Sequence, residues 1–109
     1  MSLINAARRM VPSLSRDSVI VYILRLRSGA LYVGCTIDFE VRLRDHEAGA
    51  ACRTTSLDPP NALMLVEIHS HLQVARKRES QLKRWSRAKK LALINGDLAA
   101  LRGLSQSHD

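Results

Sequence analysis

The sequence predicts an α/β domain, and three features of it carry that expectation. Two short runs rich in β-branched and aromatic residues, Val19 to Leu26 and Leu31 to Cys35, surround a Ser28-Gly29 turn and read as a β-hairpin. A third such run, Ala62 to Ile68, reads as a strand. Between and after these, apolar residues recur at helical spacing, with capping residues before them and glycines behind. At 109 residues the chain has the length of one ordinary domain. The division expected is a flexible arm over residues 1–18, a domain over 19–103 and a frayed tail over 104–109.

From the start of the chain, Met1 to Asp17 holds short apolar clusters broken by Pro12 and by serines, without clean periodicity. The register of the hairpin that follows decides what it can present. A two-residue loop at Ser28-Gly29 pairs Arg27 with Ala30 and turns Tyr22 and Tyr32 to opposite faces. A three-residue loop, Arg27-Ser28-Gly29, pairs Leu24 with Tyr32 and Tyr22 with Gly34, which sets both phenols on one face. Gly29 suits the left-handed position that closes a three-residue loop, so the second register is expected.

Thr36 or Asp38 can cap the next helix, expected from Asp38 to Ala48 and ended by Gly49. Phe39, Leu43 and His46 form its stripe, with Arg42 beside it, and residues 42 and 46 share one face. Ala50 to Asn61 contains Arg53, threonines, a serine and Pro59-Pro60, and reads as a loop whose basic start can meet a phosphate backbone. The helix His71 to Trp85 has an inward stripe of Leu72, Ala75, Glu79 and Leu82. A carboxylate in such a slot must find a cation, a metal or donors. The simplest structural partner for it is Arg42. Ser86 caps a helix from Arg87 to Ile94, with Lys89 and Lys90 expected to be exposed and Gly96 closing it. Asp97 starts a last helix to Arg102.

The formal charge of +7 favours a polyanionic partner, nucleic acid above a membrane surface. The basic residues expected to meet it are Arg53, Arg76, Lys77, Lys83, Arg84, Arg87, Lys89 and Lys90. No apolar run reaches the roughly 20 residues of a membrane span. Cys35 and Cys52, the two cysteines, lack the close spacing of a zinc, redox or disulfide pair and are read, with His69 and His71, as structural. A cytoplasmic protein is expected.

Tyr22, Tyr32, Arg42, His46 and Glu79 form a set suited to one chemistry. Hydrolysis of a phosphodiester needs an activated water, charge neutralisation on the non-bridging oxygens and help for the leaving oxygen. A guanidinium matches two phosphate oxygens, and one carboxylate with waters is a usual way to hold Mg²⁺. A nearby cation is expected to favour the phenolate, and His46 can relay a proton.

Val21-Tyr22-Ile23, then Leu31-Tyr32-Val33-Gly34, then Asp38-Phe39-Glu40-Val41-Arg42 with His46, then Arg78-Glu79, together resemble the GIY-YIG (URI-domain) nuclease superfamily. The stretch Glu79 to Ile94 is similar to the tail of its small stand-alone members. The resemblance spans about Val19 to Ile94. It implies a single three-stranded antiparallel sheet flanked by helices and cleavage of nucleic-acid phosphodiesters with Mg²⁺, or Mn²⁺ in its place. It places Tyr22, Tyr32 and His46 near the water, Arg42 on the phosphate and Glu79 on the metal. Ile20 stands where the family name has its first glycine, and the late asparagine of many relatives has no clear counterpart. DNA in repair or processing is the expected substrate. The alternative is a nucleic-acid-binding module of weak activity, or a nuclease subunit that takes its target from a protein partner.

Overall fold

A computed structural model describes residues 2–11 and 18–105 of the chain. The order is α1 (Leu3–Met10), β1 (Val19–Leu26), β2 (Leu31–Thr36), α2 (Phe39–Glu47), α3 (Arg53–Leu57), β3 (Pro60–His69), α4 (Leu72–Arg84), α5 (Arg87–Ile94) and α6 (Leu98–Ser105). The three strands form one antiparallel sheet in the order β2-β1-β3.

β1 takes the centre because its sequence, VIVYILRL, is apolar on both sides, and all of its residues except Arg25 are buried. Side chains alternate across a strand. Ile20, Tyr22, Leu24 and Leu26 therefore face one layer, where they pack with Leu3, Ala7, Phe39, Leu43 and Leu63. Val19, Val21 and Ile23 face the other, with Val33, Ala75 and Leu82. The sheet thus separates two cores, one under α1 and α2 and one under α4.

The hairpin has the three-residue loop. Leu26 N–H donates to Ala30 O at 2.8 Å, and Tyr22 pairs with Gly34 and Leu24 with Tyr32. Gly29 occupies the left-handed region at φ 94°, which a side chain would disfavour. Asp58 braces the turn from outside, accepting from Ser28 N–H at 3.0 Å and from the Ser28 hydroxyl. β3 starts at Pro60, two residues before its expected start, as an edge strand that tolerates a proline at its first position.

Several expectations need correction. Part of the expected flexible arm is helix α1, capped by Ser2, with Leu3 and Ala7 four residues apart and both buried in the first core. Two buried residues define no visible period in a sequence, and Ile4 and Ala6 pack against the same core beside them. The first N–H of the helix, from Leu3, donates to Glu47 Oε1 at 3.0 Å, and Arg8 lies 3.4 Å from Glu40, so α1 is tied to α2. Residues 12–17 of that arm lie outside the described residues. The expected loop at Ala50 to Asn61 contains α3. The last helix continues past Arg102 to Ser105, while residues 106–109 of the expected tail are outside the description. Leu72 is exposed rather than inward, whereas Ala75 and Leu82 are buried as expected.

Lys89 is the clearest reversal. It is 7 % exposed, with Nζ 4.5 Å from the centre of the Trp85 ring. Arg78 also lies against that ring, at 5.1 Å, while its fork holds Glu67 through two bonds of 2.9 Å. A cation over an indole, with its methylene stem buried, is a stable arrangement that a count of charges along a helix does not reveal.

Candidate active site

The hairpin register and α2 together build one face of the site. Tyr22 lies across Gly34 on the neighbouring strand, where a Cβ would clash with the phenol's Cζ and Oη. The glycine is needed for room, since its own backbone is ordinary strand. The hydroxyl of Tyr22 is 2.7 Å from His46 Nε2. The Tyr32 ring completes a triangle, its centre 6.5 Å from that of Tyr22 and 5.2 Å from that of His46. Tyr22 and His46 are each 1 % exposed, whereas Tyr32 is half-buried and so the more open of the two phenols.

Arg42 and Glu79 share a cleft that Tyr22, Tyr32 and His46 do not themselves line. The two come from α2 and α4, and the cleft, of about 420 Å³, is also lined by Cys35, Thr36 and Arg76 among others. Both charges act on both phenols. Glu79 is half-buried, with Lys83 Nζ 3.2 Å from its Oε2. Its ion-pair partner is therefore Lys83 one turn on rather than Arg42. Such an i,i+4 pair with a largely exposed lysine is weak and readily exchanged.

The phenolate expected near Arg42 is not what the site favours. Burial is the largest influence on Tyr22, followed by the charge of Tyr32, and these raise its hydroxyl well above the usual tyrosine range despite Arg42. Burial and then Cys52 push Tyr32 up to about 12. Burial, then Arg42, lowers His46 to about 4, against a smaller opposing effect of Asp45. At neutral pH the site therefore holds two neutral phenols and a neutral imidazole. Loss of water outweighs one cation at its edge.

This has a consequence for stability. His46 in the unfolded chain takes up a proton near 6.5, but in the fold only near 4. Between those values the unfolded state binds more protons, so stability falls as pH drops through that window and levels off below it. Urea unfolding at pH 7 and pH 4.5 of wild type and His46→Gln should show the wild-type advantage shrinking by on the order of 2 kcal/mol at the lower pH. An advantage of equal size at both pH values would mean that His46 is not held neutral.

The register expected from the sequence already sets Gly34 opposite Tyr22; what the fold adds is that the glycine makes room for the phenol. Two further residues at the site, Thr55 and Cys52, carry no such signal, because they lie in a segment without period. Thr55, fully buried, has Oγ1 2.9 Å from His46 Nδ1, and Cys52 Sγ lies 3.5 Å from Thr55 Oγ1 and 3.6 Å from the Tyr32 hydroxyl. Cys52 is thus part of the site's wall rather than a distant structural thiol.

The basic residues divide. Arg76 lines both the cleft and a second, open groove of about 700 Å³, which Lys77, Arg78 and Arg84 also line. Lys83 faces the cleft through Glu79. Arg53, at the start of α3, and Lys90, on α5, lie outside both grooves, and Arg87 donates to Gly29 O at 2.8 Å on the hairpin turn. Lys89, buried over Trp85, does not offer its ammonium to a polyanion.

A hairpin carrying paired phenols, a helix bringing arginine and histidine to them and a carboxylate on the opposite helix define a domain of the nuclease type. A family model described as the GIY-YIG catalytic domain matches residues 18–92, and the chain belongs to the GIY-YIG family. Its relatives there include the UPF0213 proteins, small single-domain members. One from Staphylococcus aureus strain Mu3 is 36% identical over 78 residues, covering 72% of this chain and 95% of that protein. One from Staphylococcus saprophyticus is 35% identical over 79 residues, with 72% and 96% covered. The solution NMR structure of a UPF0213 protein from Bacillus halodurans superimposes with a TM-score of 0.50 at 29% identity, covering 73% of this chain and 85% of that one.

Proposed function

We propose that the protein is a metal-dependent endonuclease that hydrolyses phosphodiester bonds, acting on DNA in repair or processing in the cytoplasm, with Mg²⁺ or Mn²⁺ as cofactor. The observation that carries this reading is that Arg42 and Glu79 share one cleft and that both charges act on the phenols of Tyr22 and Tyr32. Among the described residues no three His, Cys, Asp or Glu side chains cluster as a ligand cage. A single half-buried carboxylate in an open cleft fits a hard cation that keeps several waters and takes its remaining ligands from substrate. Glu79 would hold it, exchanging the Lys83 ammonium for it. When bound, the cation supplies neutralisation of phosphate charge and support for the leaving oxygen.

The chain's own residues do the rest. Arg42 grips two non-bridging oxygens and fixes the phosphate against the cleft. Tyr32, the more open phenol, orients the attacking water. A neutral phenol is a weak base alone, but Tyr22 can accept a proton from water while giving its own to His46 Nε2. That transfer needs no standing phenolate, which agrees with the neutral resting site. Arg76, Lys77 and Arg84 extend the contact along the polyanion.

A panel of single-stranded, duplex, flapped and branched DNA and RNA, with Mg²⁺, Mn²⁺ or EDTA, tests the reading. Metal-dependent cleavage of at least one substrate is expected, with binding weakening roughly 40-fold between 50 and 200 mM salt for about three phosphate contacts. Binding without cleavage under any condition would replace the enzyme with a binding module or a subunit that awaits a protein partner. Cleavage that survives EDTA would remove the metal.

A further inference from the structure

The hydrogen-bonded pair at the site continues backward into the fold. Tyr22 Oη is 2.7 Å from His46 Nε2, His46 Nδ1 is 2.9 Å from Thr55 Oγ1, and Thr55 Oγ1 is 3.5 Å from Cys52 Sγ. Thr55 is wholly buried although Arg53, Thr54, Ser56 and Leu57 around it on α3 are exposed. Its hydroxyl is the one group that this short helix turns inward to the imidazole.

A hydroxyl has a single proton to give, and a neutral imidazole carries one N–H. Two arrangements of protons are consistent with the distances. In one, Thr55 donates to Nδ1, so Nε2 carries the hydrogen and donates to Tyr22, whose own proton must go elsewhere. In the other, Thr55 donates to sulfur and accepts from Nδ1–H, so Nε2 accepts from Tyr22. Two observations favour the second. His46 Nε2 is the hydrogen-bond partner found for the covered Tyr22 hydroxyl among the described residues. The thiol of Cys52 has one proton and donates it to the Tyr32 hydroxyl at 3.6 Å, so toward Thr55 Oγ1, at 3.5 Å, the sulfur is left to accept.

We propose that Thr55, anchored on Cys52, is a positioning residue that fixes His46 as the Nδ1–H tautomer and leaves Nε2 to take the proton of Tyr22. The hydrogen bonds then run in one direction, from Tyr22 to His46 to Thr55 to sulfur. Water gives its proton to Tyr22 Oη as Tyr22 gives its own to Nε2, and the imidazolium so formed keeps its Nδ1–H on Thr55. The catalytic consequence rests on the nuclease reading; the tautomer does not.

Long-range ¹H–¹⁵N spectra of the full ¹⁵N-labelled chain at pH 7 read which ring nitrogen of His46 holds the proton. Wild type should show Nδ1–H, and Nε2–H would overturn the proposal whatever the activity. Thr55→Val keeps the branched shape and removes the hydroxyl, leaving a buried N–H without an acceptor. It should shift His46 toward Nε2–H and lower kcat about 10- to 100-fold with KM nearly unchanged, while Thr55→Ser restores both. Wild-type tautomer and rate in a folded Thr55→Val would overturn the proposal. Should that variant not fold, the wild-type spectrum still decides. If no substrate is cleaved by wild type, the nuclease reading fails while the spectrum continues to test Thr55.

Discussion

Glu79→Gln is expected to lower metal-dependent cleavage by about 10²- to 10³-fold while nucleic-acid binding changes by no more than about twofold. The amide keeps the size and the half-buried position of the side chain but removes the charge that would hold a divalent cation. Little stability is lost with it, because the Lys83 partner is 55% exposed and an exposed pair of this kind contributes at most about 1 kcal/mol. Binding is proposed to rest on Arg76, Lys77 and Arg84, which line the neighbouring groove and keep their charges in this variant. Cleavage kinetics and a fluorescence-anisotropy titration on the same labelled substrate separate the two effects. Undiminished cleavage would remove Glu79 from the active site.

Gly34→Ala is the second large effect, and it acts on fold and chemistry together. The new methyl would fall on the Tyr22 ring. That ring is 1 % exposed and packed among the residues under α1 and α2, so it has no solvent-facing position to move to. Overpacking of this kind costs about 1–3 kcal/mol. The displaced hydroxyl also loses His46, which should lower cleavage about 100-fold. In Gly34→Ala/Tyr22→Leu the smaller side chain should recover much of the melting temperature and none of the activity. A Gly34→Ala single variant that melts and cleaves like wild type would show that the phenol does not lie over residue 34.

Much of this architecture is legible in the sequence, for identifiable reasons. A strand has period two, so one glycine in the turn decided which face Tyr22 and Tyr32 share, and the pairing of Tyr22 with Gly34 follows from it. Helical spacing put Glu79 between Ala75 and Leu82 and placed Arg42 with His46. Less was legible where no period exists. Thr55 and Cys52 reach the site by tertiary packing of a single turn, and α1 docks through Leu3 and Ala7, with Ile4 and Ala6 against the same core, in a stretch too short to announce a repeat. Charge was the least readable property. Lys89 counts as a surface cation until Trp85 is seen beneath it, and Arg42 suggests an ionised phenol until the burial of Tyr22 is known.

The grip of α1 on α2 has a practical meaning for the boundaries of this domain. Family matching begins at residue 18, yet Leu3 and Ala7 fill the same layer as Phe39 and Leu43, and the Leu3 N–H is held by Glu47 at the far end of the helix that carries Arg42 and His46. The stretch shared with relatives and the unit that packs as one body are different lengths of chain. A fragment trimmed to the shared stretch would keep every residue assigned a chemical role and still lose the support beneath two of them.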